Sequence, residues 1–329
     1  MLDELARGYQ AAGHKVLMIC HPDSQCPVPK ASVIPAEDTL RMGRMSIELE
    51  HAIGSYELVQ HADVVHDHTL AGPLYSARFP DLTVVTTNHN PFSRTYNAIY
   101  GAVVPRVALV AISQSHASST QLPIDAVVHH GIDVDRYPIG RGDGGYVALL
   151  GRMVANKGVH RAIAVARAAG IPLKIAAKMR EPDEHAYFEE FVQPHLGDDV
   201  IYLGEVDADG KRELLAGAAA LLNPISWREP FGMAMLESLA CGTPVVGCPQ
   251  GAAPEIVEHG VTGFLGDTDA ELIEGLQSLD QIDRTICREH VRERFSVARM
   301  VDGYLELFDR RLRGRATRQP LPQHQAALA

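Results

Sequence analysis

The sequence predicts an α/β protein of two doubly wound, Rossmann-like domains, each a parallel sheet covered by helices, facing one another across a cleft. Three observations predict it. Short Val-, Ile- and Leu-rich runs alternate with longer helical patterns along most of the chain, as expected of parallel strands buried on both faces. A glycine-rich stretch with little apolar content, 131–145, breaks that alternation near the middle. The length of 329 residues suits two domains, at roughly 100–200 residues per domain.

Taken in order, the expected strands of the first half are 15–20, 63–66, 82–87, 107–113 and 126–129. Those of the second half are 146–150, 173–176, 200–203, 220–223 and 243–247, with helical patterns at 159–169, 211–218 and 233–241. The domains read as 1–135, a linker at 136–145, and 146–312, which turns mainly helical past Asp267. Residues 313–329 lack periodic apolar positions and read as a disordered tail. The chain opens in a helical pattern, 2–12, closed by Gly13. In the strand order 3-2-1-4-5 the first strand is central, and here no strand precedes the first helix. The expectation is a gap in mid-sheet, whose unpaired backbone groups would cost ~1–3 kcal/mol each, and a coding sequence that begins upstream of Met1.

Composition narrows the class. The chain is 46% hydrophobic and 22% charged, an ordinary globular profile. Its 30 basic and 41 acidic residues leave a net charge of −11, which argues against nonspecific nucleic-acid binding. An anionic ligand must instead be met by a few placed cations. Five cysteines without a CxxC pair read as reduced thiols rather than a disulfide framework or a zinc site. No apolar run approaches ~18–20 residues, and 2–10 carries Asp3, Glu4 and Arg7 instead of a signal-peptide core. The expected location is the cytoplasm, with peripheral contact with a membrane left open.

Ligands of open α/β sheets bind beyond the carboxyl ends of the strands, so the residues after each strand are the candidates. Arg152 and Lys157, after 146–150, suit phosphate: arginine forks onto oxygens and lysine adds a point charge. Gly232, Met233 and Ala234 open a helix whose free N–H groups attract anions. Glu237 has Met233, Ala234, Ala240 and Cys241 around it on that helix and would be costly to bury without partners. A carboxylate there suits a ribose diol, accepting two hydroxyl hydrogen bonds. His89, in the loop after 82–87, is the histidine best placed for function. His66 and His68 share a strand face, but without a third ligand they read as hydrogen-bonding groups, and no metal site is expected.

Several blocks then resemble a known family. Gly151-Arg152…Lys157-Gly158 and Glu229-Pro230-Phe231-Gly232…Glu237-Ser238-Leu239-Ala240-Cys241-Gly242-Thr243-Pro244 are similar to glycosyltransferase family 4. So are Pro254-Glu255-Ile256-Val257, Gly260-Val261-Thr262-Gly263-Phe264-Leu265, His66-Asp67-His68-Thr69 and the 86–92 loop. The resemblance spans about 2–307. It implies the GT-B fold, with an acceptor-side first domain and a nucleotide-sugar-binding second one. It also implies metal-free transfer, with retained anomeric configuration, of a sugar from a nucleoside diphosphate to an acceptor hydroxyl. No cofactor is implied; the partners are a nucleotide-sugar donor and a sugar, lipid or small-molecule acceptor.

Carried over by position, the resemblance puts Arg152 and Lys157 on the donor diphosphate and Glu229 on the donor-sugar hydroxyls. It puts the Phe231, Gly232 and Met233 amides nearby, and Glu237 on the ribose. Lys178, Glu205 and Val206 would border the base, and His89 would face the reacting sugar as a catalytic group beside Glu229. The family's first strand and glycine-rich loop have no counterpart before Leu2, and Asn88 and Asn90 replace residues that are more often Leu and Gly. Two alternatives stay open: a catalytically silent nucleotide-binding remnant, and a sugar-nucleotide epimerase of the same architecture, which matches the Glu229/Glu237 block less well.

Overall fold

In the computed structural model, which describes residues 1–36 and 44–316, the chain divides into two units. The N-terminal unit takes residues 2–112, 120–128 and the chain from Met300 on; the C-terminal unit takes 113–119 and 129–299.

Among the described residues the N-terminal unit holds two parallel sheets. In one, β1 (Met18–Ile19) pairs with β2 (Lys30–Ala31). In the other, β3 (Val64–Asp67), β4 (Thr83–Thr87), β5 (Ala108–Ala111) and β6 (Ala126–Val127) lie in chain order. Among the described residues β1 shares no ladder with β3. Strands β4 and β5 are buried along their whole length; β5 is wholly apolar, and β4 sets Val84 and Val85 among three buried threonines. Tyr56, Phe92, Tyr100 and Leu109 fill the core against them. The helix Val297–Ala316 completes this unit: Tyr304 is fully buried, its Oη 3.0 Å from Thr87 Oγ1.

The C-terminal unit is one six-stranded parallel sheet. It comprises β7 (Val147–Arg152), β8 (Leu173–Lys178), β9 (Val200–Gly204), β10 (Leu221–Asn223), β11 (Val245–Gly247) and β12 (Gly263–Leu265). The order is β12-β11-β10-β7-β8-β9. Counted within the unit this is the 3-2-1-4-5-6 winding, and the strand order reverses between β7 and β10, where such sheets bind ligands. The helices Val159–Ala169 and Asp269–Gln277 cover one face over Leu149, Ile175, Leu222 and Val246.

Each of the ten expected strands is present, shifted only at its ends. Two more, β2 and β12, two and three residues long, were not expected. The backbone of the stretch 131–145 is bonded to the C-terminal unit. Ile132 donates to the Phe295 carbonyl at 3.0 Å, Gly140 to Cys241 at 2.9 Å and Gly144 to Gly217 at 3.0 Å. Arg284 Nε in turn donates to the Gly140 carbonyl at 2.9 Å. Glycine at 140 permits this docking: a Cβ there would sit 1.9 Å from the Ala216 carbonyl oxygen. Most of the side chains from 135 to 145 are nonetheless exposed, which accounts for the low apolar content, while the backbone is docked.

The helix Val297–Ala316 runs into the segment read as a tail, whose remainder, 317–329, lies outside the described residues. No helix among the described residues is long and apolar enough to cross a membrane.

Gly140→Ala should lower the unfolding free energy by about 2–3 kcal/mol, as overpacking against backbone does. A urea midpoint equal to that of the wild type would show that the docking described is not formed in solution.

Candidate active site

The reversal between β7 and β10 brings two loops together. From β7 the chain passes Arg152, the last residue of the strand, to Lys157 in a short 3₁₀ turn, Ala155–Lys157. From β10 it passes Trp227 and Glu229 to Gly232. Lys157 Nζ donates to Glu229 Oε1 at 2.6 Å, and both side chains are mostly buried. The ammonium also lies 5.4 Å from the centre of the Trp227 ring, a cation–π distance. The two strongest sequence candidates on either side of the reversal are therefore in direct contact.

Gly232 caps the helix Met233–Ala240 with φ +114 and ψ 61, and no side chain caps that end. An L residue would be strained at this φ, and its Cβ would meet Met235 Cε at 2.3 Å. The helix start is thus left to backbone amides, the arrangement that attracts anions. Phe231 contributes only backbone here. Its ring is buried against His130, with centroids 4.9 Å apart, and against Phe295 at 6.3 Å.

Arg152 pairs across the β7–β8 ladder with Lys178, so two cationic residues end adjacent strands. The Arg152 guanidinium is held by Glu184, Nε to Oε1 at 2.8 Å and Nη2 to Oε1 at 2.6 Å. Glu184 Oε2 accepts the Arg180 and Glu181 amides at 2.7 and 3.1 Å. Those amides first, and then Arg152, hold the carboxyl down at about 2 against its burial. Glu205 is tied to Arg180, with Nη2 2.9 Å from each carboxylate oxygen. Val206 packs beside Tyr146, Ala176 and Leu214.

Glu237 is 8% exposed and has the partners that its burial demands. Its Oε1 accepts Lys211 Nζ at 2.5 Å and Tyr137 Oη at 3.3 Å. Glu184, Lys211 and Tyr137 were not among the sequence candidates. The Glu181-x-x-Glu184 spacing ahead of a helix is a capping pattern, and it was the one available signal for Glu184.

His89 lies in the N-terminal unit, after β4. Its Nε2 is 2.9 Å from His68 Nδ1, with the rings stacked 5.2 Å apart. Asn88 and Asn90 clasp each other around it: Asn90 N donates to Asn88 Oδ1 at 2.9 Å, and Asn88 Nδ2 to the Asn90 carbonyl at 2.7 Å. His66 uses both ring nitrogens within the protein, Nδ1 with Tyr9 Oη at 3.0 Å and Nε2 with Thr87 Oγ1 at 2.9 Å. Burial, with the nearby His89 charge, pushes its pKa down to about 3. Asp67 accepts Tyr56 Oη and the Thr69 amide, each at 2.7 Å. Among the described residues no group of three or more His, Cys, Asp and Glu side chains is arranged to hold a metal ion.

With this geometry in place, the comparisons define the class. The family model "Glycosyltransferase Family 4" matches residues 1–136, and "Glycosyl transferases group 1" matches 137–294. The α-maltose-1-phosphate synthase of Mycolicibacterium smegmatis is 28% identical over 354 aligned positions, covering 88% of this chain and 91% of that one. The N-acetyl-α-D-glucosaminyl L-malate synthase of Bacillus anthracis is 35% identical over 122 residues, 35% of this chain and 31% of that one. The latter match therefore spans about a third of that relative's length. The crystal structure of Anabaena HepE in complex with UDP and glucose superposes with a TM-score of 0.72 at 20% identity, over 93% of this chain and 95% of that chain. This chain belongs to the family-4 glycosyltransferases with the GT-B fold, and is an enzyme of that class.

The depressed carboxyl of Glu184 also predicts a pH dependence. Its contribution to stability is complete above the ordinary value of 4.5 and is lost as the pH falls toward about 2. Urea midpoints followed across that window should fall more steeply for the wild type than for Glu184→Gln; parallel curves would contradict the assignment.

Proposed function

We propose that the enzyme transfers a hexose from a nucleoside diphosphate sugar to an acceptor hydroxyl, with retention of anomeric configuration and without a metal ion. The observation that carries this is the Lys157–Glu229 pair beside the uncapped start of the helix Met233–Ala240. As the glycosidic bond breaks, negative charge grows on the leaving diphosphate. Arg152, Lys157 and the helix amides are placed cations and dipoles for that charge, at positions fixed before reaction. Glu229, carrying the Lys157 contact, is assigned to the donor-sugar hydroxyls, and Glu237 to the ribose diol. Lys178, Glu205 and Val206 are assigned to the border of the base. His89, matched to its place in the family pattern, is assigned to the reacting sugar. The leaving phosphate oxygen is the base for the acceptor hydroxyl proton, which accounts for retention without a dedicated carboxylate base.

The UDP and glucose bound to the Anabaena protein make UDP-glucose the first donor to test within a panel of nucleotide sugars. Release of nucleoside diphosphate and the anomeric proton coupling of the earliest product report both transfer and stereochemistry. Retention with activity unchanged by EDTA is expected. An inverted product, or activity lost to EDTA and restored by Mn²⁺, would overturn the corresponding part of the reading. Lys157→Ala should lower kcat about 10²–10³-fold, the usual cost of removing one preorganised charge contact. Glu237→Ala should weaken UDP binding about tenfold or more, through two lost hydroxyl bonds; wild-type affinity in that variant would remove Glu237 from the site. The division of the N-terminal unit into two sheets favours a second reading, a nucleotide-binding protein without transfer. That reading is identified by a UDP-induced rise in melting temperature with no sugar release from any donor.

A further inference from the structure

Arg152 combines two properties that rarely coincide: its side chain is 53% exposed, yet it is anchored on a carboxylate that is 1% exposed. A free arginine at a strand end samples many rotamers and loses side-chain entropy when a ligand orders it. Here that ordering is made in advance. We infer that Glu184 is a positioning residue, which holds the Arg152 guanidinium at its Nε–Nη2 edge and leaves Nη1 to meet the leaving diphosphate. This rests on the assignment of Arg152 to the diphosphate proposed above.

The two oxygens of Glu184 divide the work. Oε2 is fixed by the Arg180 and Glu181 amides at the start of the helix Pro182–Phe191. Oε1 is thereby left for Nε and Nη2 of Arg152, while Nη1 has no hydrogen-bond partner among the described residues. The carboxylate is seated on a helix end rather than on a loop, so the arginine inherits the rigidity of a secondary-structure element. Charge alone argues the other way, since a carboxylate beside Arg152 weakens its attraction for phosphate. Electrostatic and positioning roles therefore predict opposite effects.

Glu184→Gln separates them. Glutamine has a single acceptor, which suffices for the helix amides but then turns an NH₂ donor toward the guanidinium. The cap survives and the anchor is lost. Donor kinetics and UDP affinity should be measured for Glu184→Gln, Arg152→Ala, Arg152→Lys and the double variant Glu184→Gln/Arg152→Ala. Glu184→Gln is expected to lower kcat about tenfold or more while UDP affinity is unchanged or tighter, since misplacement costs the transition state rather than ground-state binding. In the Arg152→Ala background, the same change should alter kcat by less than about twofold, as expected for two residues acting as one unit. Arg152→Lys, which keeps the charge but cannot span two bonds to Oε1, should lose kcat comparably and serves if Glu184→Gln folds poorly. Wild-type kcat in Glu184→Gln or in Arg152→Lys, or an equal loss on adding Glu184→Gln to Arg152→Ala, would overturn the positioning role while leaving the diphosphate assignment intact. Wild-type kcat in Arg152→Ala would instead overturn that assignment, and the inference with it.

Discussion

The chemistry of the C-terminal unit depends on the reversal of strand order between β7 and β10. Elsewhere in the sheet neighbouring strands follow one another on the same side of the winding, and the connections after them leave over one face. At the reversal the connections leave over opposite faces, so the carboxyl ends of β7 and β10 are not roofed by a crossing helix. What fills the opening is side-chain chemistry. Lys157 reaches in from one loop and Glu229 from the other, and their contact at 2.6 Å joins the two halves of the sheet. The uncapped helix after Gly232 starts at the same edge.

The charges in this unit come in pairs. Arg152 is matched by Glu184, Lys157 by Glu229 and Glu237 by Lys211. In a chain of net charge −11 no broad positive field gathers an anion. The pairing keeps each buried ion compensated when no ligand is bound, which matters because a lone buried charge is far costlier than a paired one. On the assignment proposed above, an incoming diphosphate would have to share its cations with carboxylates already present. On that assignment the Nη1 edge of Arg152 and the helix amides would matter to recognition as much as the formal charge.

Much of the fold was legible because it follows from burial. Strands β5 and β11 are buried along their whole length and appear as apolar runs, while β4 and β10 are equally buried but mix threonines or an asparagine among β-branched and apolar residues. The candidates Arg152, Lys157, Glu229 and Glu237 were legible because each is a charged residue where the pattern calls for a strand end or a buried helix face. What escaped was whatever depends on long-range pairing. Lys211 sits on the helix Ala208–Gly217, and nothing in its local sequence says that Nζ reaches a carboxylate 26 positions later. Tyr137 lies 100 positions from the same oxygen. The docking of the stretch 131–145 was not legible for a related reason: glycines that loosen a linker and glycines that admit a neighbouring carbonyl look alike in one dimension. In the loop 88–90 the departure from the family pattern has a local cause, since Asn88 and Asn90 bond to each other.

The hydroxyl contact between Thr87 and Tyr304 spans 217 positions, and the N-terminal unit takes back the chain from Met300 onward. Synthesis proceeds from the N-terminus, so the ribosome delivers the whole six-stranded sheet before Tyr304 leaves the exit tunnel. The half of the protein made first is thus the half whose core closes last. Until then the site later filled by Tyr304 leaves His66, Thr87 and the strands beside them without that cover. The C-terminal unit, whose sheet strands all lie in the single stretch 129–299, has every strand of that sheet in hand well before that point.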